Sequence, residues 1–417
     1  MELTTNTIHC GDNLEELSKL PDNSIDLIYA DPPFFSNKHY EIIWNDGAEL
    51  RAFEDRWQGG INNYVKWMRQ RLFECHRVLK DTGSMYLHCD WHANAHLRIQ
   101  MDNIFGVNNY ADEIIWSYSK VGGTTKKLLK WHETIYRYTK NYKQSIFNVD
   151  AIRIPYSKAT LKGATKGEDG KLYYHRGLGK DASVKRLKST PINPAGRLLG
   201  DVWHMGDYAA PKGERIGYPT QKPEALLKRI IEASSNKGNI VLDPFCGCGT
   251  TISVAHQLGR KWIGIDVSPT ACRMMGRRLS KIGAEVNIVN MPETIEHLKA
   301  LAPFNFQGWV VDKINGTHNN KKSGDMGIDG WTILKHEPIQ VKQSENVGRN
   351  FIDNFETAIR RASHTYGEIY AFSFAKGAYE EAARAELKDG ITIKLINISE
   401  LLTDSEMKPI EKQRILV

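Results

Sequence analysis

Two short segments carry side chains whose types and spacing suit chemistry on an aromatic amine. The first is Asp31-Pro32-Pro33-Phe34, which follows the apolar run SIDLIYA at residues 24–30. The lone pair of an aromatic amine is delocalised into its ring, which makes it a weak nucleophile. A carboxylate at Asp31 can accept one amine hydrogen while the carbonyl of Pro32 accepts the other. Together they draw the nitrogen toward tetrahedral geometry and offset the positive charge that grows on it. Pro32 and Pro33 fix this turn in advance. Phe34 offers a flat face on which a base lifted out of a duplex can stack. Alkylation of such an amine is direct and needs no covalent enzyme intermediate.

The second segment is DPFCGCGTT, residues 243–251, which follows the run NIVL at residues 239–242. Its glycines let the backbone pass close to a ligand with no Cβ in the way. Asp266 ends the next apolar run, KWIGI, 23 residues after Asp243. An acid at that separation is placed to bind ribose hydroxyls. The dinucleotide pattern GxGxxG and the phosphate-binding GK[ST] are both absent here. Asp243 would repel a pyrophosphate and attract the cationic end of an amino-acid-bearing nucleoside. The expected ligand is therefore S-adenosylmethionine, held by Asp243, Phe245, Gly247, Gly249, Thr250 and Asp266.

These segments need strands and helices to hold them. The short apolar runs alternate with helical stretches at residues 14–20, 64–79, 223–234 and 250–258, and further strands are expected at 84–88, 113–118 and 133–139. This alternation indicates an α/β fold with a largely parallel sheet. From about 148 to 217 the pattern loosens, and Lys, Gly, Tyr and Pro dominate. Residues 151–215 hold thirteen basic and six acidic side chains, an excess equal to the whole formal charge of +7. Such a stretch suits a polyanion, with Lys158, Lys162, Lys185, Arg186 and Lys188 as its candidate contacts. A solvated surface insertion is the alternative. The six cysteines form no CxxC pair, which argues against a disulfide framework or a structural zinc. Without an apolar run of eighteen residues or an apolar leader, no membrane contact is expected, and the chain reads as cytoplasmic.

The order and spacing of these motifs resemble the amino-methylating DNA methyltransferases of the β arrangement, over about residues 4–290. The resemblance implies a Rossmann-like class I methyltransferase dependent on S-adenosylmethionine, with an inserted target-recognition region. GDNLEELSKLPDNSIDLIYADPPF is similar to the family's joined cofactor and catalytic motifs, which would put Asp12 on the adenine amine of the cofactor. YPTQKPEALLKRII, from Tyr218, resembles the family's PTQKP segment, which would put Thr220 and Lys222 beside the methionine end. GIDVSPTACRMMGRRL resembles the segment that carries the ribose acid, Asp266. Family members acting on the cytosine amine often carry Ser where this chain has Asp31, so adenine is the expected target and the cytosine amine the alternative. Carbon-5 cytosine chemistry needs a cysteine after a proline, and none of the six follows one. Similar enzymes often dimerise, so a homodimer is among the expected assemblies. An RNA substrate is disfavoured, since the insertion holds no recognisable RNA-binding motif.

A second α/β domain is expected over residues 301–417. It contains GDMGIDGW and then PIQVKQSENVGR. Asp329 would end one strand of a hairpin, and Gln340 and Lys342, two apart on the next, would both face it. Asp329 and Gln340 could hold Mg²⁺, with Lys342 beside them, to activate water for phosphodiester hydrolysis. This resembles the Mrr-like branch of the PD-(D/E)xK nucleases, over about residues 304–398, in which QxK replaces the second acid. Many relatives carry Glu in the preceding helix where this chain has Gln307, with Asp312 as a partial substitute. The resemblance implies a restriction-endonuclease-like fold and a single-chain restriction–modification enzyme. The alternative is a methyltransferase whose tail grips DNA without cutting it.

Overall fold

The computed structural model describes residues 3–35, 39–43, 49–54, 59–118, 128–177, 187–204, 221–319, 327–333 and 335–403, and only the backbone at 39–43, 49–54, 175–177 and 187–188. Thr220, Lys185 and Arg186 therefore lie outside the described residues, and Lys188 is described by its backbone alone.

The chain opens with β1 (Thr7–Cys10), α1 (Asn13–Lys19) and β2 (Ile25–Ala30). A small hairpin follows, β3 (His39–Ile43) with β4 (Glu49–Glu54). Next come α2 (Gly60–Val78), β5 (Leu79–Cys89), α3 (Asn94–Phe105), β6 (Tyr110–Ser117) and β7 (His132–Thr139). The loosely patterned region contains α4 (Lys158–Lys162), β8 (Thr165–Lys166), β9 (Leu172–Gly177), β10 (Leu187–Pro191) and β11 (Val202–His204). The chain then returns through α5 (Glu224–Ser234), β12 (Ile240–Asp243), α6 (Thr250–Gln257), β13 (Lys261–Asp266), α7 (Pro269–Lys281) and β14 (Asn287–Val289).

Nine of these strands form one sheet, ordered β11-β6-β7-β5-β2-β12-β13-β1-β14. All of its pairings are parallel except the two made by β7. Strand β2, with every residue of IDLIYA buried, sits at the centre, as expected of a strand covered on both faces. Two apolar clusters flank it. One contains Ile8, Leu27, Leu227, Ile230 and Trp262, and the other Leu17, Ile28, Met68, Leu72 and Leu97. The strand order reverses between β2 and β12, so their carboxyl ends open a crevice, the usual ligand position in such sheets. Asp31 and Asp243 stand at those two ends, although 212 residues separate them in the chain.

The expected insertion is only partly separate from this scaffold. β8, β9 and β10 form their own antiparallel sheet. β11, however, joins the edge of the main sheet beside β6, with Trp203 buried against the core. Asn148 is also tied to the end of α5 by its backbone and side-chain amides. The loosened pattern predicts an insertion on the scaffold, yet its last strand is an edge strand of the scaffold itself.

The remaining elements are α8 (Ile295–Ala300), α9 (Pro303–Lys313), β15 (Thr317–His318), β16 (Gly330–Trp331), β17 (Pro338–Lys342), α10 (Arg349–Arg361), β18 (Tyr366–Ala371), α11 (Lys376–Asp389), β19 (Thr392–Asn397) and α12 (Ile398–Thr403). They build a second sheet, ordered β15-β16-β17-β18-β19, whose last three strands are parallel. The first three strands form an antiparallel meander. Leu298 of α8 is buried with Phe306, Trp309 and Ile339 in this second core. Among the described residues no helix is long and apolar enough to cross a membrane.

Candidate active site

A cleft of about 1100 Å³, part of it open to solvent, runs across the carboxyl ends of β1, β2, β12 and β13. Both sequence motifs line it. From the first come Asp31, Pro32, Pro33 and Phe34, and from the second Asp243, Phe245, Gly247 and Thr250. Asp12, Lys222 and Asp266 line it too. The backbone explains the glycines: Gly247 and Gly249 have φ of 53° and 75°, the left-handed region open to glycine at little cost. A Cβ on Gly249 would also lie 2.7 Å from the Met275 side chain.

Asp12 caps the amino end of α1, with Oδ1 accepting from the Leu14 amide at 2.8 Å. Its Oδ2 meets Arg71 at 2.6 Å, and the Arg71 guanidinium lies 3.8 Å over the ring of Trp67. Asp266 accepts from the amides of Gly247 and Ser268, at 2.8 and 2.9 Å. Each of its oxygens keeps a second lone pair for a ligand hydroxyl. Burial pushes the Asp266 carboxyl up to about 6, against the lowering effect of those two amides. Burial raises Asp243 further, to about 7, and nearby Asp31 and Asp266 add to the rise.

Around the catalytic candidate the geometry is asymmetric. Oδ2 of Asp31 is held by Lys222 Nζ at 2.6 Å, an ion pair in which both side chains are largely buried. Oδ1 is buried and has no hydrogen-bond partner among the described residues. An acceptor in that state is costly to leave unmade, and an amine donor would satisfy it. Lys222 Nζ also lies 5.1 Å from the centre of the Phe34 ring. The Phe34 ring and the Asp31 carboxylate thus flank one space, as a stacked base with its amine on a carboxylate requires.

The structure redraws part of the expected residue set. The resemblance assigned Lys222 to the methionine end of the cofactor, but its Nζ sits on Asp31 instead. Thr250 lines the cleft, yet its hydroxyl is engaged by Arg278 at 3.1 Å. Trp67 is a cleft residue outside every motif, and Asn13, Gln221 and Val267 line the cleft from within motifs that gave them no role. Trp67 had no signal beyond its place on an amphipathic helix. Asn13 adjoins Asp12, and its amide donates to the Pro244 carbonyl at 2.7 Å, bridging the two cofactor loops.

The sequence matches the DNA methylase family (N6_N4_Mtase) over residues 25–277. The chain belongs to that family. This methylase is 36% identical over 274 residues to the DNA adenine methyltransferase YhdJ of Escherichia coli K12, covering 66% of this chain and 82% of that protein. It is 32% identical over 270 residues to the type II methyltransferase M.HpaI of Haemophilus parainfluenzae, covering 65% and 73%. The solved PvuII DNA methyltransferase (cytosine-N4-specific) superposes on 68% of the methylase and 95% of its own chain, with a TM-score of 0.44 and 17% identity.

The second predicted site lies apart, in the C-terminal sheet. Asp329 immediately precedes β16, and Gln340 and Lys342 lie on β17 beside it. Asp329 Oδ1 accepts from Gln307 Nε2 at 3.1 Å, and Oδ2 accepts from the Val341 amide at 2.6 Å. Gln340 donates Nε2 to the Gly327 carbonyl at 2.7 Å, leaving its Oε1 buried without a partner among the described residues. Asp312 does not stand in for the missing acid. Its carboxylate instead accepts from the Thr270 hydroxyl of α7 and faces His318 at 3.3 Å.

In the insertion, Lys158 and Lys162 lie at the two ends of α4 and carry no ion pair among the described residues. Neither lines the cleft.

Proposed function

We propose that this methylase transfers the methyl group of S-adenosylmethionine to the N6 amine of a flipped-out adenine in double-stranded DNA. The observation that carries this reading is Asp31. Its Oδ2 is held by Lys222 while its buried Oδ1 lacks a donor, in a cleft shared with three further aspartates. The cleft fits the cofactor by the chemistry of its donor set. Asp12 suits an adenine amine, Asp266 ribose hydroxyls and Asp243 an ammonium group, and all three line the cleft with Gly247. Bound there, S-adenosylmethionine supplies an electrophilic methyl group. The chain's own part is to accept the amine hydrogen on Asp31 and the Pro32 carbonyl, to stack the base on Phe34 and to exclude water. Adenine rather than the cytosine amine is supported by the acid at position 31 and by the adenine methyltransferase among the relatives. Lys158, Lys162, Lys185, Arg186 and Lys188 would hold phosphates of the duplex. Incubating the protein with mixed-sequence duplex and labelled S-adenosylmethionine, then digesting to nucleosides, tests the reading. N6-methyladenine supports it, whereas N4-methylcytosine or no label overturns it.

For the C-terminal domain we propose a nuclease-like fold that engages the same DNA, giving the chain a place in restriction–modification. Cutting with Mg²⁺ is the second reading, favoured by the unpartnered Oε1 of Gln340 next to Asp329 and Lys342. The fit to Mg²⁺ is incomplete, because this ion prefers carboxylate oxygens. Gln307 presents an amide nitrogen to Asp329 where a second carboxylate would complete the site. Plasmid nicking with Mg²⁺ by the unaltered chain, abolished in Lys342→Ala, would establish cutting. Intact plasmid would leave a DNA-gripping domain.

A further inference from the structure

Behind Asp31, on the side away from the cofactor loops, lies an ionisable pair that the reading above does not use. His88, fully buried near the end of β5, packs its ring between Phe34 and Trp116, with centroids 5.7 and 5.4 Å away. Its Nδ1 lies 3.9 Å from Oδ1 of Asp31, the oxygen without a partner, and 2.8 Å from the Tyr29 hydroxyl. Its Nε2 lies 2.9 Å from Oε2 of Glu133 on β7. The other Glu133 oxygen accepts from the Tyr118 hydroxyl at 3.1 Å.

The protonation of this group follows from its surroundings. Burial, then the charge of Asp31, holds the Tyr29 phenol well above its usual range, so it stays protonated and donates to Nδ1. Burial opposes ionisation of Glu133, but the approach of His88 to 2.9 Å and the charge of Lys222 outweigh it and hold the carboxyl at about 2. With Tyr29 donating to Nδ1, the ring proton is placed on Nε2, 2.9 Å from the Glu133 carboxylate, and the single Nδ1 lone pair is held by Tyr29 with Asp31 Oδ1 beyond it. A histidine serving the core alone would need no ionised carboxylate, because burying one costs several kcal/mol.

We propose that His88, oriented by Glu133, takes from Asp31 the proton that the target amine loses on methylation. The inference rests on the methyl-transfer reading. In the balanced step the amine nitrogen bonds to the methyl carbon, and the carbon–sulfur bond breaks with its electron pair left on sulfur. The nitrogen then gives one proton to Asp31 Oδ1. A small swing of the protonated carboxyl closes the 3.9 Å gap, the Tyr29 hydroxyl turns its hydrogen off Nδ1, and the proton passes to the lone pair so freed. Asp31 returns to its ionised form while the cleft is still closed over DNA. The imidazolium, stabilised by Glu133, releases its Nε2 proton through that partly exposed carboxylate to water. His88 and Glu133 are thus positioning residues that act through Asp31.

The test follows methyl transfer by rapid quench and proton release by a pH indicator in the same single turnover. It compares the unaltered protein with His88→Ala and Glu133→Gln. In the unaltered protein the two signals should rise together. In both variants proton release should lag methyl transfer tenfold or more, and added imidazole should restore its timing in His88→Ala. Histidine nitrogen NMR of the ligand-free protein supplies a readout independent of activity. The Nε2–H signal of His88 should be sharp and strongly downfield, and should move upfield in Glu133→Gln. If proton release keeps pace in Glu133→Gln, or if both signals slow together without imidazole rescue, the role is structural and the inference falls. If the unaltered protein transfers no methyl group, the failure belongs to the underlying reading.

Discussion

Asp31 and Asp329 each stand one residue outside a strand, and each has a lysine nearby in sequence motif or space, yet their carboxylates are treated in opposite ways. Asp31 has one oxygen fixed by the Lys222 ammonium and one left buried with no donor. At Asp329 both oxygens are met, by the Gln307 amide and the Val341 backbone. The first arrangement leaves a buried acceptor unmet among the described residues, on a residue that lines the cleft. The second closes a β-hairpin.

The contrast can be broken most sharply at Asp31. Asp31→Ala should lower single-turnover methyl transfer by roughly a hundredfold or more, with S-adenosylmethionine binding by calorimetry nearly unchanged. Normal transfer in that variant would remove Asp31 from the chemistry. Asp329→Ala should show the reverse pattern. It strands the Val341 amide and should cost about 2 kcal/mol of stability in denaturant titration, while methyl transfer stays normal.

A third prediction concerns pH. Burial raises Asp243 from an ordinary value near 3.8 to about 7. The stability that its neutral form contributes is full below about pH 4 and is lost as pH rises through about 7. A cationic ligand prefers the ionised form, so affinity for S-adenosylmethionine should climb about tenfold between pH 6 and 8. Asp243→Asn should flatten that profile, and an unchanged slope would exclude Asp243 as its source. The smallest effect is expected at α4. Lys158→Ala or Lys162→Ala should weaken duplex binding by a few fold and reduce the salt slope by about one. A variant that loses methyl transfer without losing DNA affinity would contradict a phosphate role.

The strand-end acids are legible in the sequence because each follows an apolar run, and Asp31 and Asp243 each precede a proline. That basis gives Asp31 to an amine and Asp243 and Asp266 to a nucleoside ligand, and the helices at α1, α2, α5 and α6 are visible in their periodicity. What crosses the sheet was not legible. Lys222 meets Asp31 across 191 residues, and no spacing rule encodes that reach. His88 and Glu133 were readable only as strand residues. They face each other because β7 runs antiparallel beside β5, a pairing invisible in either segment alone. β11 was hidden for a related reason: an edge strand of three residues is too short to show alternation. In the C-terminal domain the spacing of Asp329, Gln340 and Lys342 was readable, but the engagement of Asp312 by Thr270 depends on how α9 meets α7.

The neighbours β2 and β12 meet late in the life of the chain. A ribosome delivers the Asp31 loop early, but the strand that must lie beside β2 emerges only after some two hundred further residues. Until then a nascent chain holds half a crevice and an apolar strand with one flank bare, the kind of surface chaperones recognise. The cleft therefore cannot close before translation has passed Asp266, and a chain released early would carry residues 31–34 without the opposite wall.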